Sequence, residues 1–117
     1  MITGHKLIIN AAITGCVLRK SDTPYLPVTI REIVDCARRV QDAGASIVHL
    51  HAREIDESPS FEADTYCELV DRVRESCGDL IICVSLSGRH ASDRETQRAV
   101  SITAGYGQPH AWLHELC

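Results

Sequence analysis

Apolar residues recur along this chain in two rhythms, and their alternation predicts a layered α/β fold. Lys6-Leu7-Ile8-Ile9-Asn10-Ala11-Ala12-Ile13 is a near-continuous apolar run bounded by Thr14-Gly15, the pattern of a strand covered on both faces in a parallel sheet. Ile30, Ile33, Val34, Ala37 and Val40 then follow at helical spacing, with Arg31, Asp35, Arg38 and Arg39 on the opposing side. Pro24 and Pro27 keep the approach extended, Thr29 with Glu32 three positions on forms a capping box, and Gly44 supplies the stop. A second strand runs through Ser46-Ile47-Val48-His49-Leu50-His51-Ala52, and a loop through Pro59 leads to a helix from about Glu62 to Ser76. That helix turns Tyr66, Leu69, Val70 and Val73 inward and stops at Gly78. Asp79 to Ser85 is a third strand, and Ser92 with Glu95 offers another capping box for a short helix to about Val100.

Strand, helix, strand, helix, strand at short spacing implies right-handed crossovers and a parallel sheet. Past Ser101 the pattern lapses, since Ala104 to Cys117 reads as neither a clear strand nor a periodic helix. Residues 1–100 therefore read as one unit and 101–117 as an atypical tail, of the kind a frameshifted or truncated reading frame gives. Three strands do not close a barrel, and an open three-stranded parallel sheet leaves two raw edges and little buried area. The chain reads as a piece of a larger fold, or as one that something else completes.

Composition narrows the function classes. The 117 residues are 44% hydrophobic and 24% charged, as in an ordinary globular protein. A net charge of -4 with 4% aromatic residues offers neither a basic stripe nor a stacking platform, which argues against nucleic acid as a partner. No run approaches a membrane span, and the first residues lack a signal-peptide layout, so the expected location is the cytoplasm with no membrane partner. Cys16, Cys36, Cys67, Cys77, Cys83 and Cys117 form no Cys-x-x-Cys pair and read as small buried hydrophobes or incidental thiols.

The candidate chemistry lies in the second strand. Side chains alternate across a strand, so His49 and His51 project together while Val48, Leu50 and Ala52 take the other face. Two imidazoles near the C-terminal end of a strand are half of a metal site, and that end is where α/β proteins place their active sites. The alternative is a pair of hydrogen-bonded core histidines. Arg53 offers a bidentate fork to an acidic group or a substrate, or else a structural salt bridge.

Taken together, Leu7-Ile8-Ile9-Asn10-Ala11-Ala12-Ile13-Thr14-Gly15, Pro24-Tyr25-Leu26-Pro27-Val28-Thr29, Ala43 through Arg53 and Val84-Ser85-Leu86-Ser87-Gly88-Arg89 resemble the β-keto acid cleavage enzyme family. Its best-known member is the 3-keto-5-aminohexanoate cleavage enzyme of lysine fermentation. The resemblance implies a (β/α)8 TIM barrel of about 250 residues, of which this chain holds the first three βα units. It also implies a divalent metal, usually zinc, and a homo-oligomer. The implied reaction is an acyl exchange of a β-keto acid with acetyl-CoA, giving acetoacetate and an acyl-CoA.

On this resemblance His49 and His51 match the family's two histidine ligands, and Ser85 matches a serine that contacts the bound keto acid. A strand-end hydroxyl such as Ser85 can equally be a helix cap. Arg53 joins Ser85 as a candidate substrate contact, and no catalytic residue is assigned. Leu86 stands where threonine is common, and Val17 stands where the aminohexanoate enzyme carries a glutamate, so a substrate ammonium would lose its carboxylate partner. The family's third ligand, a glutamate, and its catalytic arginine and aspartate lie on later strands, and Glu115 does not match that ligand. The alternative function is a catalytically incompetent barrel fragment with at most metal binding or self-association. A metal hydrolase is a third reading.

Overall fold

The computed structural model describes residues 4–85 together with the backbone of 111–114. The chain runs β1 (Asn10–Ala12), α1 (Ile30–Asp42), β2 (Ile47–Leu50), α2 (Ala63–Ser76), β3 (Ile81–Ser85) and β4 (Ala111–His114). The strands form one sheet in the order β1-β2-β3-β4, and each neighbouring pair is parallel. Parallel neighbours need crossovers, and α1 and α2 supply the first two, giving the α/β architecture that the alternation implied. The short helix expected between Ser92 and Val100 lies outside the described residues. The expectation of a tail with no clear strand is corrected by β4. Its four residues carry no periodic signal of their own, and β3 organises them through its edge, with Cys83 opposite Trp112 and Ser85 opposite His114.

Helices and sheet meet over one core, formed by Ile33, Val34 and Ala37 of α1, Tyr66, Leu69, Val70 and Val73 of α2, and Val48, Leu50, Ala52, Ile82 and Val84 from the sheet side. Fully burying such a side chain contributes about 1.5–3 kcal/mol. The four inward positions expected of α2 are the four it buries. Helix α1 begins as its capping box requires. The Glu32 amide donates to Thr29 Oγ1 at 3.2 Å, and the Thr29 amide donates to Glu32 Oε2 at 2.9 Å. It ends at Gly44, whose φ of 103° lies in the left-handed region open to glycine. There the Gly44 amide donates to the Gln41 carbonyl and the Ala45 amide to that of Val40, both at 2.9 Å, satisfying two helix-end carbonyls. Helix α2 ends at Ser76, where the periodicity placed its end, with Cys77 as its C-cap and Gly78 following.

The first strand departs further from expectation. The run Lys6 to Ile13 pairs over Asn10–Ala12 alone, and Leu7, Ile8 and Ile9 are exposed. Among the described strands β1 is an edge, as is β4, so it has a neighbour on one side only. The Ile9 carbonyl accepts both the Ser46 and Ile47 amides, and the ladder begins there.

Two loops leave the C-terminal ends of β1 and β2, and Arg53 joins them. Its guanidinium is buried and donates to the carbonyls of Gly15, Leu18 and Glu57 at 2.7, 2.5 and 2.7 Å. Arg19 Nη1 donates to the Asp56 carbonyl, and the Lys20 amide donates to Glu57 Oε2. Glu57 has φ 68°, a left-handed conformation costly for a residue with a Cβ. It is held there by the Glu54 carbonyl accepting its amide, by Lys20 and by Arg53. Lys20 also reaches α1, where its ammonium pairs with the Glu32 carboxylate.

Lys20 above all, then the Val28 and Thr29 amides, hold the Glu32 carboxyl at about 2, below its ordinary 4.5. A depressed carboxylate stabilises the fold above its unfolded value and loses that contribution as the pH falls through its folded one. Because these side chains are 38% and 39% exposed, water screens the pair. Glu32→Gln, which keeps the capping box but loses the ion pair, should therefore cost about 0.5–1 kcal/mol at pH 7, a deficit that shrinks from pH 4.5 towards 2; urea midpoints across that range measure it. Replacing Arg53 with methionine leaves three carbonyls without their charged donor, at a cost on the order of 2–3 kcal/mol. Lysine should recover little of this, because one ammonium cannot reproduce the planar fork. Trypsin cleavage after Arg19 and Lys20 should accelerate in both variants, and unchanged cleavage would show that Arg53 does not hold the loop.

Candidate metal and keto-acid site

The site is built from the pleat of β2. Val48, Leu50 and Ala52 sit in the core, so the intervening His49 and His51 turn to the opposite face of the sheet. Their rings lie 5.0 Å apart, centroid to centroid, edge to face at 65°. Past Leu50 the chain leaves the ladder. The Ala52 carbonyl accepts the Ser60 amide, the Glu54 amide donates to Ser58, and Arg53 bridges Pro59, folding residues 53–59 back on themselves. His51 thus stands just beyond the strand end, and Arg53 turns towards the β1 loop.

Strand β3 adds the next side chains on that face. Ile82 and Val84 enter the core, so Cys83 and Ser85 take the side of the histidines, and both are buried. His49 is in register with Cys83, and its Nδ1 lies 3.2 Å from the thiol sulfur. Ser85 closes the strand, and its carbonyl accepts the Tyr66 hydroxyl at 3.3 Å. Thr14, two residues past β1, is buried with its hydroxyl unpartnered among the described residues. A buried hydroxyl of this kind calls for an explanation, and a ligand or water is one.

Electrostatics favour neutral imidazole. Burial first, then the neighbouring His49 and Arg53, lowers the pKa of His51 from 6.5 to about 4. At pH 7 its ring is therefore uncharged, the form in which histidine donates a lone pair to a metal. The two rings fit zinc by donor type. Among the described residues no group of three His, Cys, Asp or Glu side chains is placed to hold a metal ion, so the donor pair is short of a complete set.

The structure thus brings His49 and His51 together, places Ser85 on their face, and commits the Nη groups of Arg53 to loop carbonyls. Sequence reasoning passed over two groups. Cys83 looked like one more buried apolar residue, and only its register with His49 reveals the contact. Thr14 looked like a strand boundary, and its burial depends on loops whose path a local pattern does not carry. A separate groove of about 570 Å³ lies on the helical side, lined by Val34, Arg38, Glu68 and Arg72 among others.

No described helix is long and apolar enough to cross a membrane. Comparison with known proteins matches residues 6–112 to the family described as beta-keto acid cleavage enzyme. The chain is 39% identical over 95 residues to the 3-oxoadipate:acetyl-CoA acetyltransferase of Cupriavidus necator, covering 81% of this chain and 34% of that protein. It is 45% identical over 84 residues to the 3-keto-5-aminohexanoate cleavage enzyme of Acetoanaerobium sticklandii, covering 72% and 31%. Among solved structures, the ternary complex of ObcA with a C4-CoA adduct and oxalate superposes with a TM-score of 0.56 at 27% identity, over 65% of this chain and 20% of that one. The chain thus spans about a third of the length of the curated relatives it matches. With the matched segment running from the first strand into β4, the chain belongs to the β-keto acid cleavage enzyme family.

Proposed function

We propose that this chain forms the first βα units of a (β/α)8 barrel and carries the metal and keto-acid end of a β-keto acid:acetyl-CoA acyl-exchange site. The observation that carries this reading is the placement of two imidazoles, one held neutral, on the non-helical face at the C-terminal end of a parallel strand. Family membership and relatives named as acetyl-CoA transferases support it.

His49 and His51 would hold a divalent cation, zinc by donor type. Such an ion supplies Lewis-acid stabilisation of charge on keto and carboxylate oxygens. Ser85, ending the next strand on the same face, would donate its hydroxyl to the keto acid, and the buried, unpartnered Thr14 hydroxyl would be a further candidate contact. Arg53 is assigned a positioning role, because its donors already hold the β1 and β2 loops. Val17 is exposed on the β1 loop and offers no carboxylate, which favours a keto acid without an ammonium group. Acetyl-CoA is the proposed co-substrate and a homo-oligomer in the cytoplasm the proposed setting.

A second reading, metal binding without turnover, is favoured by the lack of a third donor among the described residues. One experiment separates the two. Zinc titration should give about one ion per chain in the native protein, and binding should be lost in His49→Ala/His51→Ala. Binding indifferent to both histidines overturns the site. Acetyl-CoA consumption with neutral-chain and dicarboxylic β-keto acids then decides function: turnover lost in the double variant supports acyl exchange, and zinc binding without turnover supports the second reading.

A further inference from the structure

We propose that Cys83 is a positioning residue that pins the His49 ring and fixes its tautomer, with the Nδ1–H donating to the Cys83 sulfur. The inference rests on the metal reading above only for its consequence. Its basis is geometric.

His49 and Cys83 are register partners on adjacent parallel strands and share the non-helical face, so their side chains rise from the sheet side by side. A cysteine side chain is short. From that position it reaches the imidazole nitrogen nearer the main chain, and the contact observed is Nδ1 to Sγ at 3.2 Å. Holding Nδ1 towards β3 fixes the rotation of the ring and directs Nε2, its tip, away from the strand. Cys83 is itself 4% exposed, and its strand is paired on both sides, by β2 at His49 and by β4 at Trp112.

Direction of donation then decides chemistry. If the thiol donated to Nδ1, the neutral ring would carry its proton on Nε2, and neither nitrogen would present a lone pair to a cation. With the Nδ1–H donating to sulfur, the lone pair lies on Nε2. Metal-binding histidines are usually oriented by an oxygen acceptor on the second nitrogen; here a thiol occupies that place. Sulfur is a weak acceptor, so the arrangement sets the ring without drawing its proton away.

The test reads the tautomer directly. Long-range ¹H–¹⁵N spectra of the metal-free chain at pH 8 should show His49 as the Nδ1–H form in the native protein and in Cys83→Ser, whose oxygen also accepts. Cys83→Ala should revert to the Nε2–H form common in free imidazole. Cys83→Val fills the space without an acceptor and replaces Cys83→Ala if that variant does not fold. A native Nε2–H form, or a tautomer unchanged across the variants, overturns the proposal.

Zinc affinity is the second readout, with an expected loss of roughly 10- to 100-fold in Cys83→Ala and recovery in Cys83→Ser. A cobalt-loaded protein showing a near-ultraviolet thiolate band that Cys83→Ser abolishes would make the sulfur a ligand and overturn the positioning role. Zinc binding that ignores His49→Ala while the tautomer still follows Cys83 would remove the metal reading and leave this one standing.

Discussion

The alternation of side chains along β2 is the constraint on which the rest of this structure depends. Val48, Leu50 and Ala52 are 0%, 0% and 2% exposed, and they seat both helices. Between them stand His49 and His51. Core and site therefore share one register, and a slip by one residue would exchange them. Each aliphatic side chain brought into water would forfeit about 1.5–3 kcal/mol, and each imidazole buried without a partner would add roughly 1–3 kcal/mol. Against a total stability of about 5–15 kcal/mol for a domain, that exchange is prohibitive. The packing of α1 and α2 is thus what aims the histidines.

How much of this was legible in the sequence follows from how local each signal is. Helix α1 could be read almost to its ends, because the Thr29–Glu32 box and the Gly44 turn are complete within a few residues and need nothing from elsewhere. The shared face of His49 and His51 was legible for the same reason, since a pleat has period two wherever the strand sits. Strand limits were less so. Leu7 and Ile8 have the composition of a buried strand, yet pairing depends on a neighbour, and β1 has one described neighbour. Strand β4 shows the converse, with four unremarkable residues paired because an edge was open.

Cys83 and Arg53 mark the boundary of what local patterns carry. The partner of Cys83 lies across a strand pair, 34 residues away in sequence, and only the register joins them. Arg53 was readable as a fork for an anion, and the structure gives that fork carbonyls from residues 38 and 35 positions upstream and four downstream. The first requires the register of two strands and the second the closure of loops, and sequence spacing encodes neither. The left-handed Glu57 belongs with them, since no pattern signals it and its conformation is maintained by Lys20 and Arg53 from two loops.

A buried guanidinium two residues from His51 is, on charge alone, a poor neighbour for a cation site, and the resolution lies in where its charge is directed. The three carbonyls face the guanidinium and offset its charge within the loops. What reaches His51 adds to burial and to His49 in disfavouring protonation. A proton and a metal ion compete for the same imidazole lone pair, and at pH 7 a ring titrating at about 4 is hardly contested by protons. The side chain that staples the two loops thus adds the smallest of three contributions, after burial and His49, to keeping the His51 ring neutral.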